Sequence, residues 1–246
     1  MALENITLLG KGTKYMFDLE RFRKKFRPDT CRIGVEGREF KFYVPSDLES
    51  LIDENTSPKD FPLWARIWEP SVVLALHMST ISPSPTRACL EIGAGLGVAG
   101  IIAACFGHRV TLTEYDTNAL EFARANAKLN NCERIEIRKL DWHHPDLEGK
   151  FDLIFGSEVV YREEDFTPLE NLFKRYLAPG GVIILAEGLR RSSMEFFQTM
   201  SDSYEIKAKK KVLRSDEEEI HLVLCEMTSS SSCGERVGTP SQNKQV

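Results

Sequence analysis

Residues Cys89–Gly100 read CLEIGAGLGVAG: an apolar run closing on an acid, three alternating glycines (Gly93, Gly95, Gly97), then a second apolar run. Glycine weakens strand and helix interiors, so a cluster at such a junction marks backbone that needs unusual dihedrals or close approach by a ligand. A strand over RACLEI, a glycine turn and a helix over GVAGIIAACFG form the context expected of a nucleotide-binding turn. The next strand, RVTLTEY, carries Glu114 near its end, about twenty residues beyond the turn, where such folds place an acid for ribose hydroxyls.

The alternation continues down the chain. NALEFARANAKLN predicts a helix, RIEIRKLDW and FDLIFGSEV strands, TPLENLFKRYL a helix, APGG a turn, GVIILAE a strand and SMEFFQTMSD a helix. YEIKAKKKVL and EEIHLVLCEM predict a closing antiparallel pair, with the lysine-rich member at the sheet edge, where charge deters aggregation. Strand–helix alternation of this length implies an α/β fold: a doubly wound, mostly parallel sheet covered on both faces.

Residues 1–60 read as an N-terminal accessory region. FDLERFRKKF predicts a short basic helix, CRIGVEGREFKFYVP a hairpin turning at Glu36-Gly37, and SDLESLIDE a segment with Ser46 or Asp47 as its cap. The main domain spans 61–227 and begins with a helix over EPSVVLALHM, with Pro70 in its first turn. Residues 228–246 are poor in large apolar side chains and are expected to be disordered.

Composition narrows the class. At 246 residues, 42% hydrophobic and 28% charged, the chain suits one globular domain. A net charge of −5 gives no electrostatic footprint for nucleic acid. No apolar stretch approaches the ~20 residues of a membrane span. MALENITLLGKGTKY lacks the pattern of a secretory signal. Six cysteines without a CxxC pair read as free thiols, so a cytoplasmic location is expected. Separately, the chain is expected to be a monomer. His143 and His144 have no ligand-spaced cluster beside them, and no metal site is expected.

A dinucleotide fingerprint, G-x-G-x-x-G, fits poorly. Counted from Gly93 its sixth position is Val98; counted from Gly95 it is Gly100, which leaves Gly93 outside. The run E-I-G-A-G-L-G instead matches the acid-x-Gly-x-Gly-x-Gly signature of class I methyltransferases that use S-adenosylmethionine. From Trp64 to Met227 the chain resembles methyltransferase family 16, made up largely of protein-lysine methyltransferases. The resemblance rests on IWEP, LEIGAGLG, TLTEY, KLDW and GSEVVY.

That resemblance implies a Rossmann-like, seven-stranded sheet and an S-adenosylmethionine site. Gly93, Ala94, Gly95 and Gly97 would form its turn, and Glu91 would offer a carboxylate to the cofactor's cationic amino acid end. Trp68 would border the cofactor and Glu114 would reach the ribose. Tyr115, Asp141 and Trp142 would surround the adenine, and Ser157 would close the set. Glu158 would orient an acceptor amine by a charge-assisted hydrogen bond, with Tyr161 narrowing the channel. Lysine on a protein substrate is the expected acceptor, with arginine and small molecules left open. A base-modifying enzyme is disfavoured because Ser157-Glu158-Val159-Val160-Tyr161 lacks the paired prolines of nucleic-acid amino-methyltransferases. Intact Glu158 and Tyr161 argue against a non-catalytic binding protein.

Overall fold

The computed structural model describes residues 17–52, 61–132, 134–214 and 219–230. Its main sheet uses β3 (Ala88–Ile92), β4 (Arg109–Glu114), β5 (Ile135–Lys139), β6 (Phe151–Ser157), β7 (Leu177–Gly188), β8 (Tyr204–Arg214) and β9 (Glu219–Ser229). Spatial order is β5-β4-β3-β6-β7-β9-β8, parallel from β5 to β7, with β9 antiparallel to β7 and to β8. This is the doubly wound sheet expected, and the lysine-rich β8 is indeed its edge. The order reverses between β3 and β6, the switch point where such sheets open a crevice at their carboxyl ends.

Period-two alternation explains why both faces are covered. In β6, Leu153 and Phe155 enter one core while Ile154 enters the other; in β7, Ile184 and Ala186 oppose Ile183 and Leu185. The first core is closed by α2 (Glu69–Thr80), α3 (Val98–Cys105) and α4 (Thr117–Leu129), the second by α5 (Phe166–Tyr176) and α6 (Arg191–Met200). Pro70 sits in the first turn of α2, as expected.

The N-terminal region contains α1 (Leu19–Phe26) and a two-stranded hairpin, β1 (Asp29–Val35) and β2 (Arg38–Val44). It is not a separate body. Ile33, Val35, Phe40 and Phe42 belong to the same core as α2 and α3. Phe22, Tyr43, Leu96 and Phe122 make a further cluster, which Trp64 joins. Asn126 of α4 fastens the seam: its Oδ1 accepts from Tyr43 N at 2.6 Å, and its Nδ2 donates to the carbonyls of Tyr43 and Leu96 at 3.2 and 3.0 Å.

Three expectations need correction. Among its described residues SDLESLIDE gives a 3-10 turn at Glu49–Leu51, with Glu49 N donating to Asp47 Oδ1 at 2.8 Å; residues 53–60 lie outside the described set. APGG is not a free turn but part of β7, where the register against β6 shifts between Phe151 and Leu153. The main domain extends past 227: Thr228 and Ser229 pair with Glu205 and Tyr204, because β8 still offers backbone partners there. Residues 231–246, the rest of the expected tail, lie outside the described set.

Candidate functional site

A cavity of about 800 Å³ opens at the carboxyl ends of β3, β4 and β6. Every residue assigned from sequence lines it except Glu91 and Gly97: Trp68, Gly93, Ala94, Gly95, Glu114, Tyr115, Asp141, Trp142, Ser157, Glu158 and Tyr161. Its floor is bare backbone. Gly93 has a φ of +58°, and a Cβ there would lie 2.9 Å from Val159 Cγ1 and 3.1 Å from Trp142 Cζ2. A side chain would therefore be strained and would collide with the walls.

Glu91 and Gly97 serve the turn from below. Glu91 is buried on β3, and its Oε1 accepts from Gly100 N at 3.0 Å, supplying the cap that Gly97, the N-cap of α3, has no side chain to give. A Cβ on Gly100 would fall 2.0 Å from Glu91 Oε2. Burial pushes the Glu91 carboxyl up to about 8, against the pull of the Gly100 N–H, and the charge of Glu114 pushes the same way. Gly97, at φ +81°, faces Ile101 and Leu112. Neither residue reaches the cavity, which corrects the expectation that Glu91 meets a ligand's cationic end.

Glu114 ends β4 with its carboxylate held by three backbone donors: Gly95 N at 2.8 Å on Oε2, and Tyr115 N at 2.6 Å and Asp116 N at 3.0 Å on Oε1. A carboxylate has about four acceptor positions, so one remains for the cavity. Asp141, after β5, accepts from His143 N at 2.9 Å, which with His144 holds its carboxyl below the ordinary range. Trp68 caps α2 and donates from Nε1 to Leu63 O at 2.7 Å. Tyr115 is 61% exposed and stands at the rim with Lys139 over its ring.

Glu158 leaves β6 with a φ of +52°. Left-handed backbone costs a non-glycine residue about 1–2 kcal/mol, and such strain gathers at functional sites. The side chain is 8% exposed and takes three donors, which leaves one of its about four acceptor positions open. Gly188 N donates to Oε1 at 2.6 Å, Tyr161 Oη donates to Oε2 at 2.8 Å, and Arg190 Nη1 donates to the same Oε2. Arg190 Nη2 reaches Glu187 Oε2 at 3.2 Å, and the guanidinium lies 4.3 Å from the centre of the Tyr161 ring. Burial and the Glu158 charge lift Glu187 to about 8, and the same two causes raise the Tyr161 phenol. Burial opposes the charge on Arg190, but Glu158 more than compensates and its pKa rises.

Several residues here escaped sequence reasoning. Trp64 crosses the turn, its backbone oxygen 3.4 Å from where a Gly95 Cβ would stand. Asp165, almost fully buried at the cavity wall, takes Arg162 Nε at 3.1 Å and lies 3.5 Å from His143 Nε2. Glu187 sits at the end of β7, a strand distant in sequence, and Arg190 follows it. Their only signal is the parallel pairing of Ser157 with Ala186, which sets the ends of β6 and β7 side by side.

A family model described as lysine methyltransferase matches residues 55–203. Mouse protein N-lysine methyltransferase METTL21A is 33% identical over 186 residues, spanning 70% of this chain and 82% of that protein. Mouse histone-arginine methyltransferase METTL23 is 34% identical over 107 residues, 41% of this chain and 42% of that one. Among solved structures, Pyrococcus horikoshii TYW2 in complex with MeSAdo has a TM-score of 0.56 at 18% identity, over 82% of this chain and 72% of its own.

Proposed function

From the premise that this chain belongs to the lysine methyltransferase family, we propose that it transfers methyl groups from S-adenosylmethionine to lysine side chains of a protein substrate. One observation carries the reading: Glu158 and Tyr161 share a cavity with the bare Gly93–Gly95 backbone and the Glu114 carboxylate.

The residues fit the cofactor. The floor has no Cβ where a nucleoside would lie, and an acid closes β4 with an acceptor position to spare for a ribose hydroxyl. Trp142 and Asp141 follow β5, supplying an aromatic wall and a polar partner for a base, with Tyr115 at the rim. Ser157 and Trp68 complete the walls. Bound there, S-adenosylmethionine supplies an electrophilic methyl carbon on a sulfonium whose sulfide is already a good leaving group.

What remains for the protein is to hold and deprotonate the acceptor. A lysine amine has a reference pKa of ~10.4. The apolar wall of Leu140, Val159 and Trp142 lowers it by desolvation. Glu158 accepts a hydrogen bond from the amine and aims its lone pair inward, while Tyr161 offers a ring edge that confines the side chain.

A second reading has its own observation. An arginine acceptor is favoured by the 34% identity to a histone-arginine methyltransferase over 41% of this chain; the second carboxylate that a guanidinium calls for is not Glu187, which lies outside the cavity and holds Arg190. A cytoplasmic location and a monomeric chain complete the proposal; the free cysteines among the described residues support a reducing compartment. The net charge of −5 supports a protein rather than a nucleic acid as acceptor.

Incubation with labelled S-adenosylmethionine and extract from cells lacking this protein, followed by mass spectrometry, tests the reading. Label at lysine of a defined protein is expected; label at arginine selects the second reading, and label only in RNA or metabolites rejects both. Gly95→Arg, which puts a long side chain on left-handed backbone at the cavity lining, is expected to abolish cofactor binding by calorimetry, and binding that survives would reject this cofactor site.

A further inference from the structure

A carboxylate beside an amine raises a difficulty: it favours the protonated ammonium, which cannot attack. The surroundings of Glu158 offset this charge. Arg190 Nη1 donates to Glu158 Oε2, the oxygen that also accepts from the Tyr161 hydroxyl, and Gly188 N donates to Oε1. Three of about four acceptor positions are filled, and one is left. An amine taking that position lies within the roughly 4–6 Å over which a neighbouring charge governs protonation.

Resting on the methyltransferase reading, we propose that Arg190 is a positioning residue that cancels the charge of Glu158. The acceptor amine then meets a hydrogen-bond acceptor without a net negative charge to hold its proton, which leaves to water.

Charge counting around the pair agrees. Glu187, at the end of β7, is fully buried and lifted to about 8, so near neutral pH it is mostly uncharged. Asp165 is matched by Arg162 Nε at 3.1 Å. From β9, His221 presents its carbonyl to Leu189 N. On α6, Arg191 and Glu195 pair with each other in solvent. Glu158 and Arg190 therefore stand as one neutral pair. Arg190 does not itself line the cavity, so it acts through Glu158 rather than on the acceptor directly.

The test reads the proton itself. Nα-acetyl-lysinamide labelled with ¹⁵N at Nζ is titrated into the full chain carrying S-adenosylhomocysteine, and its shift is followed with pH. On Arg190→Gln the probe is expected to bind about tenfold tighter at pH 7 and to keep its proton about one pH unit higher than on wild type. Arg190→Lys restores the wild-type titration. A variant that binds the probe no more tightly and titrates it at the wild-type pH overturns the proposal, as does a wild-type protein that shows no bound probe.

A merely structural role for Arg190 weakens binding instead of strengthening it. Should Arg190→Gln fail to fold, Glu158→Gln serves with Arg190 in place: the probe then loses its proton at lower pH than on wild type, and the opposite direction overturns the idea. Calorimetry with S-adenosylmethionine on the unmutated chain separates the two failures. No cofactor binding sinks the methyltransferase reading; normal binding with an unmoved titration sinks only the role of Arg190.

Discussion

At the scale of single residues, Glu158 concentrates the chemistry. Its φ of +52° is held by Glu158 N donating to Ala186 O at 3.0 Å, and its carboxylate by Gly188, Tyr161 and Arg190. Glu158→Gln keeps the shape but removes the charge. We expect a loss of about 10²-fold or more in turnover with cofactor affinity within a few-fold of wild type, checked by kinetics beside calorimetry. Wild-type turnover in that variant would remove Glu158 from the mechanism. Its melting point must be followed too, because a partly buried Arg190 would lose its counter-ion. Glu158 and Tyr161 were legible in sequence because both lie in one six-residue motif. Arg190 was not, since it stands 32 positions from Glu158.

At the scale of elements, the seam between the hairpin and α4 depends on Asn126. Four described backbone and side-chain groups meet there without solvent: Tyr43 N, Tyr43 O, Leu96 O and the Asn126 amide. Asn126→Ala is expected to destabilise by about 3 kcal/mol, because buried partners lose their hydrogen bonds at about 1–3 kcal/mol each. Denaturant titration measures it. A loss below about 1 kcal/mol would show that the seam is held by its aromatic cluster and by the paired hydrogen bonds of Asn130 with Lys41 rather than by Asn126. Strands and helices of the sheet were readable because apolar spacing switches cleanly between periods of about 2 and 3.6. The seam was not, because an asparagine inside ALEFARANAKL carries no mark of which distant backbone it will meet.

At the scale of the whole molecule, buried acids tie stability to pH. Glu91 and Glu187 both sit near 8 when folded, against about 4.3 for a free glutamate, so the folded state holds protons that the unfolded chain has released. Their stabilising effect is complete below about pH 4 and is lost as pH rises through 8. Thermal unfolding is therefore expected at progressively lower temperature from pH 5.5 to 8.5. Glu91→Gln, which retains an acceptor for Gly100 N, should flatten that slope. A slope unchanged in the variant would mean that Glu91 is ionised in the fold.

The sequence by itself determined the alternation of strands and helices, the glycine turn, and the motif residues that gather at the sheet's mouth. These are local facts, carried by periodicity and by residues whose backbone needs are unusual. Tertiary structure alone decided that Glu91 faces the helix rather than the cavity, that the N-terminal hairpin shares the core, and that Arg190 meets Glu158. Such outcomes depend on which strands become neighbours and in what register, and that is settled by burying both faces of the sheet together rather than by any stretch of chain alone.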